Sequence, residues 1–149
     1  MTEPIVADST CLVALERVGN LMLLPDLFSP VSIPPAVNSE FGRQFDWLEV
    51  VELKTSHLAD ALKMTVGKGE SEAISLASET NRLLITDDKQ ARAYAKRLGV
   101  DVIGTIGLLI RAKQAGIILE INPILDALDV NSFFISRALR EEALKIVGE

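Results

Sequence analysis

The chain has 149 residues, 48% hydrophobic and 24% charged, which is a globular composition of one-domain size. Its net charge of −6 argues against a broad basic nucleic-acid surface and leaves only a local one. The single cysteine, Cys11, excludes an intrachain disulfide and fits a reducing cytoplasm, and the single histidine, His57, argues against a histidine metal site or a Ser-His-Asp triad.

Met1-Thr2-Glu3-Pro4 has no basic start and no long apolar run follows, so no signal peptide and no membrane span are expected. Residues 4–8 read as a short, apolar, β-branched buried strand. Asp8, Ser9 and Thr10 are each able to cap a helix over about 10–18, which Gly19-Asn20 breaks. Residues 21–28 form a second helical piece with Pro25 inside it, and Val31-Ser32-Ile33 a short strand. Pro34-Pro35 opens a helix through Phe41 that Gly42 ends. Residues 47–53 read as a strand or extended edge, and Thr55 or Ser56 caps a helix to about Met64. Gly67-Lys68-Gly69 reads as a turn, with Glu70 starting a helix to about Thr80. Residues 82–86 are a second buried strand, after which Asp87 or Asp88 caps a helix that Gly99 closes. A strand over 100–103, a helix from Gly104-Thr105 to Gly116 and two tail helices over 123–147 complete the order. Strands alternating with helices predict a single α/β domain, a three-layer α/β/α fold with a mainly parallel central sheet.

Two strands end on carboxylates, Ile5-Val6-Ala7-Asp8 and Leu83-Leu84-Ile85-Thr86-Asp87-Asp88. In a parallel sheet those carboxyl ends open into the crevice where ligands bind. Glu40, near the end of the Pro34-Pro35 helix, and Glu70 and Glu72, at the start of a later one, add acids at element ends. Each has an ordinary structural reading as a cap, a dipole partner or a solvated residue. Together they predict a shared site for a hard divalent cation. Cys11 reads as core, His57 as surface, and Trp47 as isolated, so no aromatic platform for bases is expected.

The same segments carry a resemblance. Ile5-Val6-Ala7-Asp8-Ser9-Thr10, Ile33-Pro34-Pro35-Ala36-Val37 leading to Glu40, Gly67-Lys68-Gly69-Glu70-Ser71-Glu72-Ala73-Ile74, Leu84-Ile85-Thr86-Asp87-Asp88-Lys89 and Val102-Ile103-Gly104-Thr105 stand in order over about residues 4–116. In this the chain resembles PIN-domain proteins of the compact prokaryotic branch related to VapC-type toxins, whose end Phe133-Phe134-Ile135-Ser136 also resembles. The resemblance implies a PIN-like fold and a metal-dependent ribonuclease, with Mg²⁺ or Mn²⁺ as cofactor and RNA as substrate. It implies Asp8, Glu40, Glu70 and Asp88 as the acidic catalytic set, with Asp87 as a further metal ligand. Glu72 competes with Glu70 for the third place, and an ungapped alignment to the family's Thr-x-Asp motif favours Glu70. The two cannot face one point, being two residues apart on a helix. Ser9, Thr10, Glu72 and Thr86 are supporting residues, Ser9 or Thr10 bonding the first carboxylate.

Only a few residues separate Glu40 from Trp47, where the family often has a longer connection. The cations nearest for RNA are Lys68, Lys89 and Arg92, then Lys96 and Arg97, all also readable as a solvated helix face. The leading expectation is a toxin of a toxin–antitoxin pair, with an antitoxin protein as a possible partner. The alternatives are a catalytically silent PIN-fold module that binds RNA or protein, and an Mg²⁺ hydrolase of small phosphate esters. A homodimer is expected, because Leu21-Met22-Leu23-Leu24 and the tail residues Leu139, Leu144, Ile146 and Val147 offer more apolar surface than one small core needs.

Overall fold

In the computed structural model, which describes residues 2–149, Ile5, Val6 and Ala7 are fully buried at the centre of a five-stranded sheet. They belong to β1 (Glu3–Ala7), and the other buried run forms β4 (Leu83–Ile85) beside it. Both strands are covered on two faces, which is why they read as unbroken apolar runs with no alternation. β2 (Phe28–Ile33), β3 (Leu48–Val50) and β5 (Val102–Ile103) complete the sheet in the order β3-β2-β1-β4-β5, every pair parallel. The chain leaves β1 toward β2 and returns later to β4 on its other side. The boundary between β1 and β4 is therefore the switch point of the sheet.

Nine helices are present among the described residues. They are α1 (Ser9–Arg17), α2 (Leu23–Leu27), α3 (Pro35–Phe41), α4 (His57–Leu62), α5 (Lys68–Thr80), α6 (Lys89–Arg97), α7 (Thr105–Gln114), α8 (Asn122–Val130) and α9 (Arg137–Ile146). The element order and the α/β fold class agree with the sequence reading. α5 lies against β1 and β4, with α3, α4 and α6 around it, while α2 and α9 pack on α7. Glu149 ties the tail down by accepting the Ile121 and Asn122 N–H groups at the start of α8.

Four readings are corrected. β2 begins at Phe28, three residues earlier than expected, and α2 is correspondingly short. Glu3 pairs with Phe28 but Ile5 with Val31, so β2 carries one extra residue beside Pro30, whose missing N–H cannot serve the ladder. α5 starts at Lys68, not Glu70, and Gly69 lies buried inside its first turn. Trp47 is not isolated: it stacks on Phe45, centroids 5.1 Å apart, and Phe45 on Phe41 at 6.3 Å. Leu21, Leu23 and Leu24 pack into the core, leaving Met22 alone exposed, so that segment offers no apolar patch for a second copy.

Candidate acidic active site

The register of β1 on β4 sets Ala7 beside Ile85, so Asp8 and Thr86 emerge together at the carboxyl edge of the sheet. Asp8 is 2% exposed. It caps α1, its Oδ1 accepting the Cys11 N–H at 3.0 Å, and its Oδ2 accepts the Thr86 hydroxyl. Burial pushes its carboxyl up to about 6; the Thr86 and Cys11 bonds oppose that rise, and the nearby Asp87 charge adds to it. Ser9 and Thr10 were expected to support this carboxylate. Thr86 and Cys11 do so instead, since the Ser9 hydroxyl turns to Glu40 Oε2 at 2.5 Å and Thr10 faces an adjoining cleft.

Beyond Thr86 the backbone stays extended into the cap of α6, and the next two acids part company. Asp87 turns inward. Its Oδ1 accepts the Thr105 N–H at 2.9 Å, and its Oδ2 accepts the Thr105 hydroxyl at 2.5 Å and the Cys11 thiol at 3.1 Å. Asp88 is exposed and caps α6, accepting the Ala91 N–H at 2.7 Å.

The glutamates arrive from the helices. Glu40, near the end of α3, reaches the first turn of α5, where a Cβ on Gly69 would lie 2.8 Å from Glu40 Oε2 and nearer still to Oε1. Gly69 is therefore a point of close approach, not a turn. Glu70 folds back over Gly67 at the start of its own helix. Glu72 points elsewhere and accepts the Ala36 N–H at 3.0 Å. It thereby supplies α3 with the acceptor that its cap residue, Pro34, cannot offer.

Among the described residues, no lysine or arginine forms an ion pair with Asp8, Glu40, Glu70, Glu72, Asp87 or Asp88. Several acids elsewhere are paired, as Asp126 and Asp129 are with Arg140, while others such as Asp26, Asp46 and Glu120 are not. Arg92 lies beside this edge, its Nη1 donating to the Thr86 carbonyl at 3.1 Å. No three His, Cys, Asp or Glu side chains among the described residues come close enough to hold an ion by themselves. Mg²⁺ needs only one or two carboxylates and keeps waters in its other positions. The all-oxygen acids Asp8 and Asp87, close together with no lysine or arginine paired to either among the described residues, fit such a hydrated ion.

Two clefts flank this edge. One, of about 400 Å³, is lined by Ser9, Thr10, Arg17 and Glu40; the other, of about 590 Å³, runs from Asp87, Lys89 and Arg92 across β5 to Leu139. Phe133 lines both. The sequence reading did not assign Cys11 or Thr105 to the site. Cys11 carried a local signal, standing three residues after a capping aspartate; Thr105 lies 18 residues from Asp87, and its signal was its place in the Val102-Ile103-Gly104-Thr105 segment.

A family model described as PIN domain (DUF3368) matches residues 4–149. A solved structure, described as a PilT N-terminus domain protein SSO1118 from the hyperthermophilic archaeon Sulfolobus solfataricus P2, is similar in fold. It is 24% identical, covers 73% of this chain and 92% of its own, and overlays with a TM-score of 0.50. No curated protein matches the chain.

Proposed function

Because the chain belongs to the PIN-domain family, a nuclease-type family whose members typically use divalent metals, we propose that it is an Mg²⁺- or Mn²⁺-dependent endoribonuclease. The observation that carries this reading is the pair Asp8 and Asp87 beside the switch point of the sheet, both bonded to Cys11 and neither with an ion-pair partner among the described residues. Asp8 and Asp87 would hold the ion, Glu40 and Glu70 stand at the rim, and Asp88 fixes the start of α6 and so the backbone that aims Asp87. When bound, such an ion lowers the pKa of a water and offsets charge on the scissile phosphate. Thr86 and the Cys11 N–H hold the Asp8 carboxylate in one orientation, and Ser9 does the same for Glu40.

Lys68 and Lys89 support a polyanionic substrate. Each is the first residue of its helix, α5 or α6, where the helix dipole disfavours a cation. A phosphate backbone crossing this edge gives those charges a partner. Lys96 and Arg97 sit in the last turn of α6, where the same dipole favours them. We extend the reading to a VapC-like toxin acting in the cytoplasm with an antitoxin as partner, on the resemblance of the Phe133-Phe134-Ile135-Ser136 tail. No helix among the described residues is long and apolar enough to cross a membrane.

The test is cleavage of a mixed RNA pool by protein freed of host nucleases, with a generic phosphate ester as control. Cleavage is expected in Mn²⁺ or Mg²⁺, loss in chelator, and loss of most activity in Asp8→Asn, since an amide is a poor ligand for a hard cation. An Asp8→Asn variant as active as the parent chain would falsify the assignment. Metal-independent RNA binding without cleavage would replace it with the silent module.

A further inference from the structure

Two donors outside the acidic set converge on Asp87. Thr105, fully buried as the first residue of α7, gives it both its N–H at 2.9 Å and its hydroxyl at 2.5 Å. Cys11, also fully buried, gives it the thiol at 3.1 Å. The same Cys11 gives its backbone N–H to Asp8 at 3.0 Å, and among the described residues it alone donates to both acids. The buried Cys11 thiol faces the Asp87 carboxylate as a donor.

Gly104 makes room for this arrangement. A Cβ there would lie 2.7 Å from Asp87 Oδ1 and 2.9 Å from Arg92 Nη1. The carboxylate enters the first turn of α7 only because residue 104 has no side chain. A carboxylate offers roughly four lone-pair sites, so the donors leave Asp87 capacity for a cation while fixing its rotation. Two crowded carboxylates repel, and an unheld Asp87 would swing toward water whenever Asp8 is ionised. Held as it is, the pair meets an ion already in place, without first ordering a side chain.

We propose that Thr105 and Cys11 are positioning residues that clamp the Asp87 carboxylate beside Asp8 and so set the affinity of this edge for a divalent ion. The inference rests on the reading that Asp8 and Asp87 hold that ion. Its test is calorimetric titration of the whole chain with Mn²⁺, without RNA, alongside melting curves. Thr105→Val keeps the shape and deletes the hydroxyl; it is expected to raise the Mn²⁺ Kd roughly 10- to 100-fold, the usual cost of losing a partner that orients a ligand. Thr105→Ser is expected to restore binding. Cys11→Ala removes the thiol donor independently and is expected to weaken binding, with Cys11→Ser restoring it. Parent-like Kd values in Thr105→Val and Cys11→Ala, with only their melting points lowered, overturn the clamp and leave the ion site standing. A parent chain that binds no Mn²⁺ overturns the ion site and the clamp with it.

Discussion

Burial moves the Asp8 carboxyl from 3.8 to about 6, so the folded chain holds that proton more tightly than the unfolded chain does. Below 3.8 both states are protonated and nothing is lost. As pH rises through 6 the folded state must ionise a buried group, and stability falls by roughly 3 kcal/mol for a shift of this size. In chelator, Asp8→Asn is therefore expected to melt higher than the parent chain at pH 7.5, with the gap closing by pH 4. Melting curves across that range check it, and an Asn variant that melts lower at pH 7.5 contradicts it. Asp8 was legible in the sequence because a carboxylate ending an apolar run is both a helix cap and a strand tip. Which of Asp87 and Asp88 turns inward was not, because neighbouring residues of an extended segment face opposite sides and either is able to cap a helix.

Elements in this fold finish one another. Glu72 of α5 caps α3, and Glu79 of α5 accepts the Lys54 and Thr55 N–H groups ahead of α4. Partners 36 and 25 residues apart leave no local pattern, so Glu72 read as a rival to Glu70. Gly69 misled for a related reason: beside Gly67 it looked like a turn, but α3 brings Glu40 onto its bare face. Gly69→Ala is expected to displace the Glu40 carboxylate and break its bond to Ser9 while leaving the helix in place. The gain in helix propensity, about 1 kcal/mol, offsets a lost hydrogen bond of about the same size. Urea midpoints should stay close to the parent value while RNA cleavage falls about 10- to 100-fold, the scale of a misplaced catalytic group. A parent-like rate in Gly69→Ala would place Glu40 outside the reaction.

For the whole molecule, the α/β alternation was legible because a parallel sheet demands a crossover between successive strands. The order of strands was not, because nothing local says that β4 joins β1 across two others. The dimer keeps only part of its sequence argument: Leu21, Leu23 and Leu24 are core and Leu144 and Val147 pack partly against it, while Leu139 and Ile146, with Val130 and Phe134, stay exposed. Light scattering at micromolar concentration should give twice 16.2 kDa, and Phe134→Asp should return the mass to 16.2 kDa. A parent chain at 16.2 kDa whatever its concentration refutes the dimer. The long return from β3 to β4 also gives the acidic edge a history. Thr86 follows Asp8 by 78 positions, so at a translation rate of roughly 5–20 residues per second it is made about 4–16 s later. Until β4 docks, Asp8 stands at the end of a strand with one edge open, with neither Thr86 nor Asp87 beside it. The ribosome adds 78 residues after Asp8 before the groups that would cut RNA stand together.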